Sequence, residues 1–116
     1  MKIKKTYIGV HPEILYDEVR DFVLKHGAVI DEAKLETYSM PNDSSSSISS
    51  GTLVFTVQDK SGKAEKECFR AHIIGSAKDE TKVIFDINEE LFTQEKLSAL
   101  QEDLDFVFGS YEEKSH

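Results

Sequence analysis

Residues 52–88, TLVFTVQDKSGKAEKECFRAHIIGSAKDETKVIFDIN, carry the clearest structural pattern in the chain. Apolar and polar side chains alternate in three segments, 52–59, 66–74 and 81–88, and a period of two is typical of half-buried strands. The residues between these segments are rich in glycine, serine and charge, which is the composition of turns. The stretch therefore predicts a three-stranded antiparallel meander.

A helix is predicted on each side of this meander. Pro12 suits the first position of a helix, where its missing N–H costs nothing, and Gly27 suits the left-handed residue that ends one. Thr93 is a good N-cap for a closing helix. The apolar residues that share one side of the closing helix are Leu97, Leu100, Leu104, Val107, Phe108 and Tyr111. Both helices can therefore cover a sheet.

Two more strands and a loop complete the chain. Residues 2–10 and 28–40 have compositions that favour strands, and in the second of these charged and apolar residues are interleaved. Residues 41–51 contain a proline and a run of serines with little to bury, which predicts a flexible loop whose role the sequence does not reveal. About forty residues precede this loop, too few for a separate core. Residues 1–116 are therefore expected to form a single domain.

The order of these elements predicts the fold class. We expect an α+β fold, in which an antiparallel sheet of about five strands is covered on one face by a short N-terminal helix and a long C-terminal helix. The two helices are the only elements that can bury an apolar sheet face.

Composition limits the partners and the compartment. The chain has 22 acidic and 14 basic residues, for a net charge of −8, which repels a phosphate backbone and an anionic membrane. The cluster of Lys2, Lys4 and Lys5 is too small to reverse this. No apolar run approaches the ~20 residues of a membrane span, and the N-terminus lacks a signal peptide. With Cys68 as the single cysteine, we expect a cytoplasmic protein that binds neither nucleic acid nor membrane.

One segment gives a family resemblance. Residues 8–16, IGVHPEILY, run from a strand through a proline helix start to an apolar-aromatic pair. Together with the element order, this resembles the helix-grip plan of the START/polyketide-cyclase (SRPBCC) superfamily. The full plan has two opening helices and six or seven strands, where this chain has one helix and five strands. The resemblance implies a curved sheet that grips the last helix around a cavity for an apolar ligand, with no shared catalytic set.

The leading functional hypothesis is a binding module for a small apolar molecule, held between the sheet and the last helix. The residues expected to form the wall of its site are Leu53, Phe55, Phe69, Phe85, Leu100, Leu104 and Phe108. The alternative is a protein-interaction or homodimerisation module with a filled core, which uses the closing helix or an unpaired edge strand. Phe106 widens the apolar side of that helix and could form a homodimer seam.

The sequence favours a protein that is not an enzyme and that needs no cofactor or metal. Cys68, Arg70 and His72 share one face of a predicted strand, but residues i and i+4 of a strand stand roughly 13 Å apart, too far for a Cys–His dyad. An enzyme would need Asp86 or Thr56 beside His72. The other histidines lack companions at ligand spacing, and the chain has no glycine-rich phosphate loop, nucleophile elbow or zinc-protease motif.

Overall fold

The structure is a computed structural model that describes residues 1–40, 43–58, 62, 65–76 and 78–113. Its elements, in chain order, are β1 (Lys2–Ile8), α1 (Pro12–Lys25), β2 (Val29–Met40), β3 (Asp43–Gln58), β4 (Glu65–Gly75), β5 (Glu80–Ile87), α2 (Gln94–Phe108) and a 3₁₀ turn (Gly109–Tyr111). The α+β class is confirmed.

All described strands form one antiparallel sheet in the order β1-β5-β4-β3-β2. The meander predicted from residues 52–88 is its centre, as β3, β4 and β5. The first strand pairs with β5, the last strand of the chain, so β1 lies at one edge. The second strand pairs only with β3 in this sheet order and lies at the opposite edge.

The two helices cover one face of this sheet. In β5, Val83, Phe85 and Ile87 are buried, whereas Ile84 and Asp86 between them are exposed. The buried set packs in one apolar cluster with side chains of α1 and α2. We call the other surface of the sheet the open face; one row across it, in register, is Lys4, Ile84, His72, Thr52 and Lys34.

The helix ends follow the sequence signals. Pro12 opens α1, and Gly27 follows its end with a φ of 93°. The Thr93 hydroxyl caps α2 by accepting a hydrogen bond from the backbone N–H of Lys96 at 3.4 Å. The prediction for the apolar side of α2 is wrong at two positions, because Val107 is 41% exposed and Tyr111 is 51% exposed.

These two exceptions have a geometric cause. The buried residues of α2 are Leu97, Leu100, Leu104 and Phe108, which follow the helical period closely. Val107 lies one position before Phe108 and so falls at the margin of that stripe. Tyr111 lies beyond the α-helix, in the 3₁₀ turn, where the tighter winding moves it off the stripe.

The prediction of a loop over residues 41–51 is wrong for residues 43–51, which belong to β3. This part of β3 pairs with β2, and the hydroxyls of Thr37 and Ser49 lie 3.0 Å apart. Cross-strand pairing gives the backbone its partners and overrides the weak strand propensity of serine. Gly51 is needed here, since a Cβ atom would lie 2.7 Å from the Tyr16 ring of α1. Residues 41 and 42, and the predicted turn over residues 60–63 apart from Gly62, lie outside the described residues.

Candidate functional site

The residues predicted to form a ligand wall lie together in the core. Leu53, Phe55, Phe69, Leu100 and Leu104 are all 0% exposed. Phe85 and Phe108 join the same apolar cluster, at 1% and 4%. The sequence thus identified a set of residues that the fold does bring together, and the structure shows them packed in the core.

Aromatic rings fill the centre of this cluster. The Phe69 ring lies 5.9 Å from Phe55, 5.3 Å from Phe85 and 5.1 Å from Phe92, centroid to centroid. These separations are those of directly packed aromatic pairs. Two surface clefts, one beside the turn between β4 and β5 and one beside β1, are lined by none of the predicted wall residues.

His72 lies on the open face, away from the core. Its Nδ1 atom is 3.0 Å from the Thr52 hydroxyl oxygen, and its cross-strand neighbours are Thr52 and Ile84. Asp86 pairs instead with Arg70, one row away, and Thr56 pairs with Glu67. The acid–base partners that an enzyme would need are therefore not assembled around this histidine in the described part of the chain.

The prediction that Cys68 shares a face with Arg70 and His72 is wrong. A β-bulge lies between the pairs Phe55–Phe69 and Thr56–Glu67, and Cys68 is its extra residue. The bulge turns Cys68 into the core, where it is 1% exposed and its thiol donates a hydrogen bond to the Phe55 carbonyl at 3.5 Å. Burial raises the pKa of this thiol, which disfavours the reactive thiolate.

Neither a metal-binding cluster nor a membrane-spanning helix is found among the described residues. Among the described residues, no group of three or more His, Cys, Asp or Glu side chains is arranged to hold a metal ion. In the same residues, no helix combines the length and apolarity that crossing a membrane requires.

A cleft of about 380 Å³ opens on the open face, beside the turn between β4 and β5. Ile48 and Ile74 supply apolar surface, and Lys82 and Glu80, whose charged groups are 3.4 Å apart, lie at its rim. The volume is within the range of small-molecule sites, and the lining suits a molecule with an apolar and a polar part.

The C-terminal segment pairs with one end of the β1 edge, at Thr6 and Tyr7. The backbone N–H of Glu113 donates to the Thr6 carbonyl at 2.8 Å, and Glu112 forms an antiparallel bridge with Tyr7. The Lys5 ammonium and the Glu112 carboxylate are 2.7 Å apart and mostly buried. Burial is the largest cause that raises the pKa of Tyr7. The chain itself therefore occupies the Thr6–Tyr7 end of this edge.

The β2 edge is different. It is the terminal strand of the sheet, and in the described part of the chain no strand or segment lies along its outer side. Every residue from 31 to 39 is exposed. Its pairing with β3 is unbroken from Glu32 to Ser39, between register shifts at Ile30 and at Met40. This stretch therefore presents a regular row of backbone N–H and C=O groups to a partner.

The side chains of this edge alternate in character. Glu32, Lys34 and Glu36 lie on the open face, and Ala33 and Leu35 lie on the face that carries the helices. In the sequence, this interleaving of charged and apolar residues indicated a strand but not its place in the sheet. The alternation of three charges at a period of two was the available sign of an exposed edge, but strand order was needed to interpret it.

Comparison of the chain with protein-family models, with curated proteins and with solved structures returned no match.

Proposed function

We propose that this chain is a non-enzymatic protein-interaction module that binds an extended segment of a partner along the outer edge of β2. The observation that supports this proposal is the contrast between the two sheet edges. Glu112 and Glu113 pair with the β1 edge at Tyr7 and Thr6, whereas the regular, exposed β2 edge has no neighbour within the described residues.

Strand addition supplies the binding energy from the backbone. An extended partner pairs its N–H and C=O groups with those of the edge, and alternate side chains give specificity. The sheet behind β2 is held by its helices and is already formed, so the ordering cost falls mainly on the partner. The role requires no cavity, which agrees with the close packing of Phe55, Phe69 and Phe85.

The compartment and the classes of partner proposed for the chain are consistent with strand addition. A reducing cytoplasm suits a chain whose single cysteine is a buried free thiol. The net charge of −8 makes a nucleic acid or an anionic membrane a poor partner. An apolar ligand in the core would require the ring cluster around Phe69 to open, so we rank this hypothesis below strand addition.

A small-molecule role is the second candidate, and the cleft beside Ile48 and Ile74 favours it. Native mass spectrometry of the purified chain tests it, because a retained molecule adds mass. Loss of that mass in Ile74→Lys would assign the molecule to the cleft, whereas loss in Leu100→Ala alone would assign it to the core.

The test of strand addition is selection of binders from a random 12-residue peptide library displayed on phage, with the chain at a concentration where it is monomeric, so that self-pairing does not cover the edge. Peptides that bind the edge are expected to slow hydrogen exchange of the β2 amides, since these become hydrogen-bonded. Enrichment of no peptide, or only of peptides that protect other segments, would refute the proposal.

Proline substitution supplies the matched variants. In an edge strand, alternate N–H groups point outward, so one of Lys34→Pro and Leu35→Pro removes an outward donor and the other removes a ladder bond. The variant that keeps its circular dichroism spectrum is expected to bind the selected peptides at least about tenfold more weakly. Phe106→Ser, at an exposed position on α2, should bind them as the parent chain does.

A further inference from the structure

We infer that the partner at the β2 edge is a second copy of this chain, paired antiparallel about Leu35. The inference rests on the proposed function, because it names the partner of the same edge. Its product is one continuous sheet of two copies with both helix layers on the same side.

Symmetry restricts how two β2 edges can meet. A two-fold axis perpendicular to the sheet makes the two strands antiparallel and keeps each face of the sheet on its own side. Two side chains that lie opposite each other across this axis must come from the same face of the sheet. Because successive residues alternate between faces, opposite residues differ by an even number, and the axis passes at a residue and not between two residues. The register shifts at Ile30 and Met40 confine a regular ladder to the stretch from Glu32 to Ser39.

The charges of the edge select one centre within that stretch. With Leu35 on the axis, Lys34 faces Glu36 of the second copy, and symmetry repeats this pair. Leu35 meets its own copy on the face that carries the helices, where it is 38% exposed in the single chain. The Tyr38 hydroxyl donates a hydrogen bond to Glu36, which holds that carboxylate on the open face. Residues 32–38 then pair within the unbroken stretch.

Two-fold centres at neighbouring residues give less favourable charge pairing or a less regular ladder. A centre at Lys34 opposes two lysines and also places Glu32 against Glu36. A centre at Glu36 opposes two glutamates. A centre at Ala33 keeps Glu32 opposite Lys34 but extends the ladder into the register shift at Ile30. Like charges directly opposite each other destabilise a strand pair and opposite charges stabilise it, so the register at Leu35 is preferred.

Charged residues on an edge strand ordinarily prevent pairing with other chains. Here their alternating sign favours self-pairing about Leu35 and disfavours centres at Lys34 and Glu36. Each copy carries a net charge of −8, which opposes association at long range. In about 0.15 M salt the Debye length is about 8 Å, so this general repulsion is screened more than a pair in direct contact.

The test is sedimentation velocity on the full chain in about 0.15 M NaCl over a concentration series. A reversible dimer is expected. Lys34→Glu and Glu36→Lys should each weaken the dimer about tenfold or more, because two attractive cross-strand pairs become repulsive.

An equimolar mixture of these two variants is the decisive sample. In the mixed dimer the introduced glutamate at position 34 faces the introduced lysine at position 36, and the native Glu36 faces the native Lys34. The mixture should therefore recover the affinity that each variant lost alone. Lys4→Glu on β1 is the control, since it changes the net charge as Lys34→Glu does but lies at the opposite edge, and it should leave the dimer within about twofold.

The outcomes separate the two proposals. A chain that stays monomeric at every concentration overturns self-association, while the peptide selection decides independently whether the edge binds other strands. A dimer that both charge variants leave intact, or whose β2 amides exchange as fast as in the monomer, overturns pairing about Leu35. Recovery in the mixture together with slowed β2 exchange supports it.

Discussion

Replacing Phe69 by alanine is the sharpest test of a filled core. The Phe69 ring is 0% exposed and packs on Phe55, Phe85 and Phe92 at centroid separations of 5.9, 5.3 and 5.1 Å. A buried Phe→Ala change costs about 3–5 kcal/mol, and each aromatic pair adds about 0.5–1.5 kcal/mol beyond burial, so we expect the upper part of the first range. If the ring lined an open cavity, it would lack contacts on one side and the cost would be well below this range.

Urea unfolding followed by circular dichroism measures this cost. For a small domain m is about 1–3 kcal/mol per M, so a loss of about 4 kcal/mol lowers the midpoint by more than about 1 M. Phe106→Ala is the matched control, since Phe106 is 90% exposed and its truncation should cost less than about 0.5 kcal/mol. If Phe69→Ala does not fold, Phe69→Leu can replace it, at roughly half the loss of unfolding free energy. Its loss should still exceed that of Phe106→Ala. Equal costs for Phe69→Ala and Phe106→Ala would refute the assignment of the core.

Three further predictions follow from the packing. A hydrogen bond with Asp103 is the largest cause that raises the pKa of Glu18 above 4.5. Protonated Glu18 therefore stabilises the folded state below pH 4.5, and this contribution to the free energy of unfolding is lost as the pH rises through the folded-state pKa. Glu18→Gln should therefore raise the free energy of unfolding at pH 7 by up to about 1 kcal/mol, an advantage that shrinks at pH 4, as measured by urea unfolding at both values. Cys68 should react with a thiol reagent only after unfolding, because it is buried and the pKa of its thiol is raised; absorbance assays with and without urea measure this. Gly51→Ala should lower stability by about 1–3 kcal/mol in a thermal melt, because the new Cβ would meet the Tyr16 ring at 2.7 Å.

Each of these predictions has a control. Glu102→Gln, at an exposed position on α2, corrects for the loss of one negative charge; an equal gain there would show that net charge and not the Asp103 contact is responsible. Fast labelling of Cys68 in the native chain would contradict its place in the bulge. Tyr16→Leu combined with Gly51→Ala should cost less than the sum of the two single changes, and strict additivity would contradict their contact.

Much of the fold could be predicted from the sequence, because the spacing of apolar residues along a segment indicates which of its faces is buried. Alternation in residues 52–88 gave the central strands, and Pro12, Gly27 and Thr93 marked helix ends that the structure confirms. The same local logic failed at the serine run before Gly51. There, the backbone hydrogen bonds to β2 stabilise a strand that the serine side chains do not favour. A single sequence does not reveal which strand will pair with which.

The amino-acid pattern alone was enough to predict the α+β class and a set of apolar residues that lie together between the sheet and the helices, because both depend on residue type and period. Three features became visible only in three dimensions: Cys68 turns inward at a bulge, the C-terminal segment pairs with β1 at Thr6 and Tyr7, and β2 is an edge strand with no neighbour on its outer side among the described residues. Strand order and register arise from long-range pairing, in which backbone groups common to all residues make the contacts. For this reason the candidate site, which is an edge of backbone groups, carried only a faint sequence signal in Glu32, Lys34 and Glu36.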